Sequence, residues 1–139
     1  MTTAALYWIS TGLLSLLYLS SAFLYLTKGA WVRQTLAELN YPAPYLVPFM
    51  VVVKVLGPIA ILSRVSMPLS DLAYAGIFFH LVLSASAHLG VHKPKGALPA
   101  IIGLALLATS FATQNAARET PSPYAPAAAE QHISTTERN

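Results

Sequence analysis

The sequence contains no cysteine, which excludes disulfide bonds, thiolate metal sites and dithiol redox chemistry carried by this chain. Charged residues are also scarce, at 9% of 139 residues, against roughly 25% in an average soluble domain. Hydrophobic residues, in contrast, make up 55%. Because so few charges cannot cover a soluble surface, whereas a bilayer accepts an apolar one, the composition predicts an integral membrane protein.

The charges that are present do not form a patch. Eight basic and five acidic residues, a net charge of +3, stand singly between apolar runs, so nucleic acid is not an expected partner. His88 and His92 have the spacing of a metal-binding pair, but no nearby carboxylate completes a site, and we predict no metal. The sequence also lacks a nucleophile motif, a phosphate-binding loop and a carboxylate pair.

Four apolar stretches of about 16 to 21 residues are long enough, or nearly so, to cross ~30 Å of hydrocarbon. Short connections between consecutive helices favour antiparallel neighbours. We therefore predict an all-α fold, an up-down-up-down four-helix transmembrane bundle formed by residues 1–114. The predicted spans are 6–26, 45–62, 72–89 and 98–113.

The segments outside these spans differ in character. In the first connection, Trp31, Val32, Leu36 and Leu39 recur at helical spacing among polar residues, which predicts a short amphipathic helix at the membrane interface. Residues 115–139 are rich in Pro, Ala and polar residues. We expect them to form a disordered tail that can be removed after Gln114 without loss of the folded bundle.

Two ionisable residues lie near the middle of predicted spans. Lys54 is eight residues before Leu62 and His80 is nine residues after Asp71, so both lie about 12–14 Å from the same membrane face. A charge at the bilayer centre costs about 2.5–3.5 kcal/mol on insertion scales. We therefore expect Lys54 and His80 to face each other inside the bundle.

Small and polar residues extend this predicted pocket. In the third span, His80, Ser84 and His88 recur every four residues, and Ser15 and Tyr18 lie on one face of the first span. Packing alone also explains such stripes in membrane helices. The site predicted from the sequence consists of Lys54, His80, His88, Ser15, Tyr18 and Ser84, as ligand-binding residues.

Several fragments resemble the DoxX-like family of small membrane proteins in order and spacing. They are Leu39-Asn-Tyr-Pro42, Lys54-Val-Leu-Gly57 with Ala60-Ile-Leu62, Leu72-Ala-Tyr-Ala-Gly76-Ile-Phe-Phe79, and Ser86-Ala-His88. The resemblance covers about residues 6–113 and implies a four-helix membrane fold. It also picks out Tyr41, Pro42, Lys54, Gly57, Tyr74, Gly76 and His88 as pattern residues.

For function, the resemblance implies an association with redox or stress proteins, because founding members are small subunits of a thiosulfate:quinone oxidoreductase. The leading hypothesis is an accessory or redox-associated subunit whose intramembrane pocket binds a hydrophobic, quinone-like ligand. A non-catalytic assembly factor for a partner protein and a proton-coupled transporter are the alternatives. A membrane or peripheral redox partner and homo-oligomerisation both stay open, as does any catalytic activity of the isolated chain.

The basic residues of the loops predict an orientation. Lys28, Arg33, Lys93 and Lys95 share one face of the predicted bundle, and Arg64 and Arg118 share the other. By the positive-inside rule, the first face is cytoplasmic and both termini are extracytoplasmic, in the plasma (inner) membrane.

Because the chain has no native cysteine, single introduced cysteines test this orientation directly. Ser66→Cys should react with an impermeant thiol reagent in intact cells, because it faces outward. Lys95→Cys should react only after the cells are permeabilised. Labelling of Lys95→Cys in intact cells would reverse the orientation.

Overall fold

The computed structural model describes residues 1–128, and all the regular secondary structure in this part of the chain is helical. Four of its helices are long and apolar enough to cross a membrane, so the predicted four-helix membrane bundle is confirmed. The helices are α1 (Thr3–Thr27), α2 (Gly29–Glu38), α3 (Leu46–Ser63), α4 (Met67–Gly90) and α5 (Pro94–Thr113), followed by a short 3₁₀ helix (Gln114–Ala117).

The four long helices are arranged in a ring. Both α1 and α4 pack against α3 and α5, and successive helices run in opposite directions. Large apolar side chains such as Phe23, Leu72 and Phe79 point outward and are at least 63% exposed, as expected of a surface that faces lipid. The core contains Leu14, Tyr18, Ile61, Tyr74, Ile77, Leu81, Ala100 and Leu107.

The bundle has two chemically different ends. The α2 end carries α2 and the connection between α4 and α5. The tail end carries the start of α1, the turn between α3 and α4, and the 3₁₀ helix.

At the turn between α3 and α4, Arg64 adopts a left-handed conformation, with φ of 55°. The helix α4 then begins at Met67 with Pro68 in its first turn, a position that proline tolerates. The start of α4 is thus five residues earlier than predicted.

The helix predicted in the first connection is present as α2. It buries Val32 and leaves Trp31 55% exposed, which fits an amphipathic segment. Lys93 donates a hydrogen bond to Glu38 and so joins the α4–α5 connection to the end of α2. This hydrogen bond and the charge of Lys93 lower the pKa of the Glu38 carboxyl, although an ion pair this exposed contributes little to stability.

Residues 115–128 pack against the tail end, unlike the disordered tail that the composition predicts. Asn115 is buried, and its side chain accepts a hydrogen bond from the Ser122 amide at 2.7 Å. The two N–H donors of its Nδ2 are shared among the carbonyls of Ser122, Ala125 and Pro126, which lie at 3.0–3.2 Å. The Ser122 hydroxyl donates to the Asp71 carboxylate on α4. Composition did not reveal these side-chain bonds. The rest of the predicted tail, 129–139, lies outside the described residues.

The Asn115 side chain is expected to hold this segment in place. Asn115→Ala removes its hydrogen bonds and leaves the Ser122 amide without its acceptor, so it should lower the free energy of unfolding by about 1–3 kcal/mol and speed proteolysis of residues 116–126. Thr120→Ala, at an exposed position of the same segment, is the matched control. Equal melting temperatures and equal cleavage rates for the two variants would show that the Asn115 bonds do not secure the segment.

Candidate functional site

Lys54 is a buried cation near the middle of α3. The residue is 6% exposed, and its ammonium lies 5.2 Å from the centre of the Tyr18 ring and 5.0 Å from that of the Tyr25 ring. The electron-rich faces of aromatic rings attract a cation, most strongly where water is excluded. Two aromatic rings of α1 thus stabilise the charge.

Tyr18 also connects Lys54 to His80. The Tyr18 hydroxyl lies 2.7 Å from Nδ1 of His80 and 3.4 Å from the Ile77 carbonyl. Tyr18 thus contacts both Lys54 and His80. The structure therefore brings together one group from each of α1, α3 and α4 around the Tyr18 ring.

The Lys54 ammonium has no anionic partner in residues 1–128. The ion pair of this part of the chain is Lys93–Glu38, at the α2 end, and no described side chain or carbonyl accepts a hydrogen bond from Lys54. Pro58 is buried within α3 and has no backbone N–H to donate to the Lys54 carbonyl one turn earlier. The faces of the Tyr18 and Tyr25 rings stabilise the positive charge of Lys54, but the N–H groups of its ammonium stay available to donate hydrogen bonds.

The other predicted site residues are placed less centrally. Ser15 is buried and Ser84 is half-buried, and neither hydroxyl has a hydrogen-bond partner within residues 1–128. His88 packs against Gly96 so closely that a Cβ on Gly96 would lie 2.2 Å from Nδ1 of His88. Since His88 is eight residues, about 12 Å, along α4 from His80, the structure does not bring it to Lys54.

Sequence reasoning missed Tyr25 as part of this site. Tyr25 follows Tyr18 by seven residues, two helical turns, and so lies on the same face of α1. That spacing was visible in the sequence, but only the packing of α1 against α3 shows that the Lys54 side chain extends between the two rings.

An apolar groove runs along α4 and α5 on the outer surface. Its volume is about 880 Å³, and its walls include Phe78, Phe79, Phe111 and, at one end, Asp71 and Tyr124. The groove is separate from the Lys54 site, and it offers space for a lipid chain or an apolar partner segment. No group of three or more metal-ligating side chains occurs among the described residues.

Comparison with known proteins identifies the family. No curated protein and no solved structure matches the chain. The model of the DoxX-like family matches residues 9–110, a range that includes Tyr18, Lys54 and His80. The match extends over most of the chain and from the second turn of α1 almost to the end of α5, and the chain therefore belongs to the DoxX-like family.

Proposed function

We propose that this protein is a small accessory subunit of a membrane redox system and that its Lys54 site binds a hydrophobic ligand with a carbonyl or oxyanion group. Quinones are the ligand class that we favour. The observation that carries the proposal is the buried Lys54 ammonium, which has aromatic rings around it but no hydrogen-bond acceptor among the described residues.

The energetics support an acceptor as the missing partner. A central lysine costs about 2.5–3.5 kcal/mol to insert into a bilayer, and cation–π contacts return roughly 2 kcal/mol when desolvated. Charged hydrogen bonds add about 1.5–3 kcal/mol each. A carbonyl or oxyanion that accepts a hydrogen bond from Lys54 would therefore offset the part of the insertion cost that the cation–π contacts do not.

The side chains at the Lys54 site are of the kinds that a quinone would need for binding. Lys54 would donate to a quinone oxygen, and the Tyr18 ring would lie beside the quinone ring. His80, held through Nδ1 by the Tyr18 hydroxyl, would donate or relay a proton. A bound quinone would supply two-electron redox chemistry. We assign no catalytic group to the chain itself, and a redox partner protein in or on the membrane would complete the activity.

Removal of the Lys54 charge tests the site. Lys54→Met keeps the length of the side chain but not the donors, and it should weaken binding of a short-chain ubiquinone analogue roughly tenfold or more. The measurement is a titration of the purified full chain in detergent. Lys95→Met, which removes an exposed lysine at the α2 end, is the matched control. Equal affinities in both variants would exclude Lys54 as the quinone donor.

Two tyrosine variants separate the role of the ring from that of the hydroxyl. Tyr18→Phe keeps the ring beneath Lys54 but leaves His80 Nδ1 without its partner, so it should cost about 1–3 kcal/mol in stability and reduce affinity for the same analogue. Tyr25 has no hydroxyl hydrogen bond within residues 1–128, so Tyr25→Phe should change neither quantity. Identical melting curves for the two variants would argue against the Tyr18–His80 bond.

The second candidate is an assembly factor, which the groove along α4 and α5 favours because an apolar partner segment fits its aromatic walls. Such a protein needs no occupied Lys54 site. The test is a double variant, Lys54→Met with His80→Ala, in cells that retain normal levels of the protein. If this variant still associates with its partner, the assembly function is favoured over ligand binding.

A further inference from the structure

Four polar atoms at the tail end of the bundle are buried without a hydrogen-bond partner among the described residues. They are the hydroxyl oxygen of Tyr7, both Nε2 and Oε1 of Gln114, and Nε of Arg118. Tyr7 and Gln114 are completely buried, at 0% exposure. Buried polar groups in folded proteins nearly always have partners, because an unpaired one is costly. Four of them at one end of the bundle therefore leave donors and acceptors available to a bound molecule.

Helix geometry brings Tyr7 and Gln114 to one level. Thr11 of α1 and Ser110 of α5 are joined by a hydrogen bond of 2.6 Å between their hydroxyls. Tyr7 precedes Thr11 by four residues and Gln114 follows Ser110 by four. Because α1 and α5 are antiparallel, both residues lie one turn nearer the tail end, on the faces that meet at Thr11 and Ser110.

Arg118 approaches the level of Tyr7 and Gln114 from the side of α4. Its Nη2 donates to the Ser70 hydroxyl of α4 at 2.9 Å. Ser70 precedes Tyr74 by four residues, and the Tyr74 hydroxyl bonds Ser110 at 2.6 Å. The unpartnered atoms of Tyr7, Gln114 and Arg118 therefore surround one region between α1, α4 and α5.

This region is rich in hydrogen-bond donors, and Arg118 brings a guanidinium to it. Tyr7, the Gln114 amide and Arg118 Nε all carry unused N–H or O–H groups, against the single carbonyl acceptor of Gln114. A second guanidinium, that of Arg64, lies 5.4 Å from the Trp8 ring at the same end. The acidic side chains at this end are Asp71, which accepts from the Ser122 hydroxyl and keeps its negative charge, and Glu119, which is exposed.

We propose that Tyr7, Gln114 and Arg118 form a second buried site that binds a small oxyanion, either a free ion or the phosphate of a lipid. Guanidinium and amide N–H groups are the donors that proteins use for such ligands. The site is distinct from that of Lys54, because Leu14, Ile77 and Leu107 of the hydrophobic core lie between the two along α1, α4 and α5.

The test is a crossover in thermal stability. In sodium chloride and neutral detergent, Gln114→Leu should melt at or above the temperature of the wild-type full chain, because it removes two unpaired buried atoms. When sodium phosphate replaces the chloride at equal ionic strength, the melting temperature of the wild type should rise a few degrees more than that of Gln114→Leu, because only the wild type binds the ion. A parallel arm adds phosphatidylglycerol in place of phosphate, and the arm that stabilises identifies the source of the oxyanion.

The control is Gln34→Leu, which removes an exposed amide on α2. It corrects for the general stabilisation of proteins by phosphate and should respond as the wild type does. Tyr7→Phe, which deletes one oxygen atom, gives an independent comparison if Gln114→Leu fails to fold. An equal gain in the wild type, Gln114→Leu and Tyr7→Phe would overturn the proposal, as would a high-resolution map in phosphate that shows only water between these residues.

Discussion

The absence of water from the bilayer interior is the constraint on which this structure depends. A polar group there must find a partner within the protein, because lipid offers none. The long helices satisfy their own backbones, and the few polar side chains turn inward. The hydrogen bonds of Thr11, Tyr74 and Ser110 then connect three of the four long helices through a single hydroxyl. The same requirement makes unmatched groups informative, since the side chains of Lys54 and Gln114 have no hydrogen-bond partner among residues 1–128.

The interior of the bundle is consequently layered. A cationic layer around Lys54 lies near the middle of the bundle, a layer of hydroxyls lies nearer the tail end, and apolar side chains separate them. Tyr18 reaches His80 on one side of the separation, and Tyr74 reaches Ser110 on the other. Apolar packing holds the helices together, while the polar layers fix which helix faces are adjacent. Each layer leaves specific donors unused, and these are the groups that we assign to ligands.

The sequence predicts those features that follow from one helix at a time. Apolar length predicts the spans, and the cost of a charge in lipid places Lys54 inside the bundle. Tyr25 was missed because its contact with Lys54 depends on how α1 packs against α3. The proposed site at the tail end was also missed, because Gln114 follows the last apolar span and its burial depends on how the 3₁₀ helix packs against the bundle. Asn115 shows the same limit, since composition does not indicate which backbone groups one side chain can bind.

The central position of Lys54 gives the protein an electrical property. A charge that crosses the whole membrane changes in energy by about 2.3 kcal/mol per 100 mV, so an anion that moves from one side to the middle of the bilayer experiences roughly half of that. Binding of an anionic ligand at Lys54 would respond to the membrane potential and to the side from which the ligand arrives, whereas binding of a neutral quinone would not. The depth of one lysine would thereby couple site occupancy to the energetic state of the membrane.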